Sequence, residues 1–124
     1  MQQHFDAEWN RCAGWLLAAL EYDQCHDLSD VKAKVLADEC QFWPGLKSAI
    51  VTEVIDTPKV RSLHIWLVGG DLKELVSDML PVITDFAKRA GCSRMSVAGR
   101  KGWERVLLGK GFVPAWRVAM KELT

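Results

Sequence analysis

Glu53 and His64 sit in the middle of two stretches rich in β-branched residues, SAIVTEVID and VRSLHIWLV, and their side chains are of the types that move protons. If the two stretches pair as neighbouring strands, a carboxylate and an imidazole approach each other across the sheet, where the pair could serve as a base. The same pair also fits a hydrogen-bonded or solvated sheet face. A second constellation is the turn Leu67, Val68, Gly69, Gly70, Asp71 and Leu72, which leads from a strand into a helix. Free amides at such a point suit an anion. Asp71 works against that use: as N-cap its carboxylate occupies an amide and repels phosphate. His26 beside Cys25 suggests a nucleophile and base, but no third partner is identifiable, and His4 stands near the chain start. The cysteines, Cys12, Cys25, Cys40 and Cys92, show no C-x-x-C pair and no matching histidine spacing, so no metal site is expected and reduced thiols are.

The elements that must position these residues belong to a chain of 124 residues, enough for one domain with one real core. Hydrophobic residues make up 49% and charged ones 26%, the balance of a soluble globular protein. No apolar run reaches the length of a membrane span, and MQQHFDAEWNR lacks the basic and apolar parts of a secretion signal, so a cytoplasmic protein is expected. Net charge is zero, yet residues 1–60 carry five Lys/Arg against ten Asp/Glu (−5) and residues 61–124 eleven against six (+5). A basic second half admits an anionic ligand or nucleic acid, the latter needing a clustered basic surface. Six tryptophans are many for this length and point to core or interface anchors.

Trp9, Ala13, Leu16, Leu17 and Leu20 predict a helix over 6–20. Asp27, with Asp30 three residues on, predicts the cap of a short second helix carrying Leu28, Val31, Val35 and Leu36 inward. QFWPG reads as a break. Strands follow over 48–56 and 60–68, antiparallel through the turn at 56–59, with Leu63, Ile65 and Leu67 on one face and His64 and Trp66 on the other. Leu72, Leu75, Val76, Met79, Ile83, Phe86, Ala87 and Ala90 predict a long helix that Pro81 should kink or split and Gly91 should end. A strand over 94–98, a helix over 102–108 and a last strand over 113–123 complete the reading. Strand, long helix and strand in 60–98 form a βαβ unit, whose two strands run parallel. The expected class is α/β (α+β): a mixed, mostly antiparallel sheet with one parallel unit and flanking helices, residues 1–40 forming a helical pair and 41–124 the sheet with two helices.

This order, with LHIWLVGG as a bulge-prone strand, KRAGCSRMSV and GRKGWERVLLGKGF, resembles the GNAT (GCN5-related N-acetyltransferase) fold from about Ala49 onward. The resemblance implies an acetyl-CoA site where the first βαβ strand splays from its neighbour, with a pyrophosphate loop of the form Q/R-x-x-G-x-G/A. Here that loop is Val68-Gly69-Gly70-Asp71, shorter and without the leading Gln or Arg. The family's last helix places a tyrosine as general acid; aligned on Gly111-Phe112, Leu107 stands there, and leucine has no proton to give. Trp103 stands where the family has a small alanine, and would fill part of the cofactor groove. If CoA bound, Arg94, Arg100, Lys101, Arg105 and Lys110 would be available to its 3′-phosphate, and Glu53 would act as a water-assisted base.

AEWNRCAGWLLAAL, QFWPGLKSAIVTEVID and IWLVGGDLKEL, together with the last helix, resemble small GNAT-like proteins of tailed bacteriophages and prophages, some of them virion components. That resemblance implies a structural or assembly role without catalysis, a protein partner from the virion or its assembly, no cofactor and no membrane, in the host cytoplasm or within a virion. The alternative is a small acetyl-CoA-dependent N-acyltransferase, and a weaker one a nucleic-acid-binding module.

Overall fold

A computed structural model describes residues 2–98, 101–115 and 118–123. Helix α1 (Gln2–Asp23) is followed by α2 (Leu28–Leu36), then strands β1 (Gln41–Pro44), β2 (Ser48–Asp56) and β3 (Arg61–Gly70). A single turn α3 (Leu72–Glu74), a π-helical turn (Leu75–Met79) and α4 (Leu80–Arg89) lead to β4 (Arg94–Val97) and α5 (Lys101–Leu108). The sheet order is β1-β2-β3-β4, with the first two pairings antiparallel and β3–β4 parallel. The mixed, mostly antiparallel sheet with one parallel βαβ unit is thus the architecture the sequence predicts.

Local chemistry sets most of the boundaries. Asp27 accepts the Asp30 amide while the Asp30 side chain accepts that of Asp27, a reciprocal capping box that starts α2. Helix α4 ends in a Schellman turn: Cys92 N–H reaches Ala87 O at 2.9 Å and Gly91, at φ +83°, donates to Lys88 O. Pro81 has no N–H to return to residue 77 and its ring crowds that carbonyl. The chain answers one turn earlier by widening into a π turn, in which Leu80 N–H bonds Leu75 O. The long helix is therefore split, as Pro81 predicts.

Helices cover both faces of the sheet. On one side Trp9, Cys12, Leu16 and Leu20 of α1 pack with Val31 of α2 and with Ala49, Val51 and Leu67 of the strands. On the other, Leu75, Met79, Leu80, Ile83 and Ala87 pack with Ile50, Leu63, Ile65 and Leu107. Thr52, fully buried in the sheet, accepts from Trp43 Nε1 at 3.0 Å and donates to Gln41 Oε1 at 2.8 Å, so its hydroxyl is satisfied.

Four expectations need correction. The buried stripe of α1 runs through Cys12 and Ala19, whereas Leu17 is half exposed, because the 3.6-residue turn drifts past the 13/17 row over so long a helix. Gln41–Pro44 is an edge strand rather than a break; its proline closes the strand, where a missing N–H costs least. Between Val51 and Thr52 the β2–β3 register jumps from Leu67 to Ile65, leaving Trp66 as an extra residue in β3. That bulge turns the strand over, so Leu67 joins the α1 side with His64 instead of lying with Leu63 and Ile65. Finally, residues 113–115 and 118–123 form no strand, and Val113, Val118, Met120 and Leu123 are exposed; Trp116 and Arg117 lie outside the described residues.

Candidate functional site

The β3–β4 ladder begins at Ser62–Arg94 and its last pair is Ile65–Val97, while β3 itself continues to Gly70. The extra residue of the bulge follows directly after that last pair. Bulges bend a strand and end its pairing, and here the two parallel strands part. The gap is a cleft of about 470 Å³ lined by His64, Trp66, Leu67 and Val68 from β3, Val97 from β4 and Trp103 from α5. Its volume is that of a small-ligand site. Tyr22 and Asp23, at the end of α1, close a third side.

Trp103 does line this gap, as its place in the last helix suggests, but leaves it open. Leu107, the residue at the family's tyrosine position, is 5% exposed and belongs to the core under α4. It offers the cleft no acid.

Glu53 and His64 are direct partners across β2–β3, so their side chains share one face. His64 Nδ1 lies 2.9 Å from Ser96 Oγ on β4. Burial lowers the proton affinity of His64, and the nearby Glu53 charge partly restores it. The structure thus sets Glu53 opposite His64, close enough for its charge to act on the imidazole but with no hydrogen bond between them, and adds Ser96. The sequence marks Ser96 as a strand residue, but nothing in it fixes the parallel register that sets it opposite His64. His26 forms another local pair: its Nδ1 is 2.8 Å from Asp23 Oδ2, and its ring stands edge-on to Trp66 at 4.9 Å.

The turn from Leu67 to Leu72 lies at the far end of β3, closely packed. Gly69 and Gly70 are still paired with Ala49 and Ser48 of β2. A Cβ on Gly69 would lie 2.9 Å from the carbonyl carbon of Trp15, so the backbone of α1 rests on it. Gly70 holds φ +111° and passes Ser48, whose Cα would be 2.5 Å from a Cβ there. Asp71 N–H donates to Lys47 O at 3.0 Å, and the Asp71 carboxylate caps α3 by accepting Lys73 N–H at 2.9 Å. Beside it, the Glu74 carboxylate accepts from Ser48 Oγ, Lys47 N–H and Leu46 N–H, contacts that lower its pKa. Arg11 closes the neighbouring loop by donating to Gly45 O and Leu46 O. The helix entrance therefore presents two carboxylates, and its Asp71 and Lys73 amides already have acceptors.

Of the basic residues near the last helix, Arg94 and Lys110 are exposed, Arg105 also, while Arg100 and the side chain of Lys101 lie outside the described residues. Among the described residues no helix is long and apolar enough to cross a membrane.

No family model matches the chain, and no curated protein does. Solved structures do. A probable acetyltransferase aligns over 98% of this chain and 92% of its own, at 13% identity and a TM-score of 0.62. A predicted acetyltransferase from Clostridium acetobutylicum, solved with acetyl-CoA, aligns over 77% of this chain and 71% of its own, at 13% identity and a TM-score of 0.57. A mutant of TTHA1254 from Thermus thermophilus aligns over 63% of this chain at 16% identity and a TM-score of 0.52, and the chain spans 62% of that protein. At these identities the likeness is one of architecture, and the architecture it gives this chain is the GNAT-like fold.

Proposed function

We propose that this chain is a GNAT-fold module that binds a protein partner and does not transfer acyl groups from acetyl-CoA. The observation that carries the reading is the helix entrance at Asp71. A diphosphate needs unpaired amides and a positive field at a helix start. Here Asp71 N–H and Lys73 N–H are bonded internally, and Asp71 and Glu74 place negative charge at the same point. Leu107, buried in the core, supports the same reading, since a CoA thiolate leaving the cleft would meet no acid there.

Exposed apolar side chains favour a protein as the partner. Val113, Val118, Met120 and Leu123 are each at least 78% exposed, and they follow the helix that carries Trp103. The virion-assembly role implied by the phage resemblance is the finer form of this proposal and names the kind of partner, a component of the particle or its assembly line.

The open cleft favours a second reading, acetyl-CoA-dependent N-acyl transfer with Glu53 as base. Thermal unfolding with and without acetyl-CoA separates the two. A ligand bound at micromolar affinity raises the melting temperature at millimolar concentration by mass action. We expect no shift. A saturable rise, with Glu53→Gln abolishing turnover but preserving the rise, would establish the second reading instead.

A further inference from the structure

Glu53, His64 and Ser96 occupy one row across three neighbouring strands. Glu53 pairs with His64 across β2–β3, and His64 pairs with Ser96 across β3–β4. Paired residues project to the same side of the pleat, so register alone aligns the three side chains. The His64–Ser96 contact of 2.9 Å is a hydrogen bond between an imidazole nitrogen and a hydroxyl. The row lies one pair before the ladder ends at Ile65–Val97, and His64 itself lines the cleft that opens there. Ser96 is exposed.

We infer that Ser96 and His64 act as nucleophile and base, with Glu53 supporting the imidazole through its charge, and that the protein cleaves small carboxylic esters whose apolar part lodges between Trp66 and Trp103. Ser96 Oγ attacks the ester carbonyl, and its proton passes to His64 Nδ1 as the new C–O bond forms. The ester C–O bond then breaks, and His64 returns the proton to the departing alkoxide. Water, activated by the same imidazole, hydrolyses the acyl-serine, releasing the carboxylic acid and restoring the Ser96 hydroxyl. No oxidant, metal or cofactor enters the balance. Apolar walls, Leu67, Val68 and Val97 beside the two indoles, select an uncharged acyl or alkyl group. Burial keeps His64 in the neutral form a base requires. Among the described residues, the ionisable groups facing it are Glu53 from β2 and Asp23 and Tyr22 from α1, and the Glu53 charge raises the proton affinity of the imidazole.

The activity is independent of the CoA reading, because it uses neither the Asp71 turn nor a thioester. The test combines a fluorophosphonate label with hydrolysis of p-nitrophenyl acetate by the full chain. We expect one adduct, mapped by mass spectrometry to Ser96. In Ser96→Ala both adduct and turnover fall to background, and the fold persists, since the substitution is on an exposed edge-strand residue. In His64→Gln turnover drops about 100-fold or more. In Glu53→Gln the rise of rate with pH moves to lower pH, because the charge that raises the proton affinity of His64 is gone; a merely structural Glu53 would leave that limb in place. Labelling at another residue, no labelling of the wild-type chain, or full turnover in Ser96→Ala overturns the proposal.

Discussion

Replacing Gly69 by alanine tests whether α1 rests on the end of β3, the contact that helps to close the turn. A Cβ there would lie 2.9 Å from the Trp15 carbonyl carbon and closer still to its oxygen, both backbone atoms that no rotamer change can move aside. Ordinary contact begins near 3.4 Å, so α1 has to shift as a body across a face that buries Trp9, Cys12, Leu16 and Leu20. Overpacking of this kind costs about 1–3 kcal/mol. With an unfolding entropy of about 2.1 cal/mol/K per residue, a chain of this length loses about 4–12 °C in melting temperature. Gly14→Ala is the matched control, on the exposed side of α1 with nothing within 4 Å of the new methyl. Helix propensity there gains about 0.5–1 kcal/mol, or about 2–4 °C. Differential scanning calorimetry of both variants, supported by urea melts, gives the comparison. A Gly69→Ala protein melting within about 2 °C of wild type would refute the packing argument, and with it the view that α1 closes this side of the turn.

Leu63→Ala removes a fully buried side chain from the core under α4 and should cost about 2–5 kcal/mol in a denaturant melt; a loss below about 1 kcal/mol would mean that this core is loosely packed. His64 also gives stability a pH dependence. Its folded proton affinity is lowered, so the unfolded chain binds the proton more readily, and stability is full above the ordinary value of 6.5 and declines as pH falls below it toward the folded value. His64→Gln should flatten that part of the profile; an unchanged slope would place its origin elsewhere.

Much of this fold is legible from local chemistry. The Asp27–Asp30 spacing marks the start of α2, Gly91 the end of α4, and Pro81 the split that the π turn resolves. The β-branched runs mark β2 and β3 because a half-buried pleat favours them. What the sequence conceals is register. A one-residue bulge at Trp66 reverses the facing of Leu67; the resemblance marks LHIWLVGG as bulge-prone, but no residue pattern within it says where the extra residue falls. Ser96 meets His64 only through a parallel pairing whose offset is set by the length of α3 to α4 and the closing Schellman turn. Gln41–Pro44 becomes a strand because β2 offers it an edge, a tertiary cause invisible in four residues. By contrast, the acidity of the Asp71 turn is plain in the sequence, while the partners of its amides, Lys47 O above all, are not.

At the helix entrance the Asp71 and Lys73 amides are already bonded internally and the Asp71 and Glu74 carboxylates stand beside them, so a diphosphate should find no seat there. An amide-resolved NMR titration with CoA to millimolar concentration reads those groups directly. The resonances of Gly69 through Glu74 should stay where they are. Saturable shifts confined to those six amides would show a diphosphate seated at Asp71.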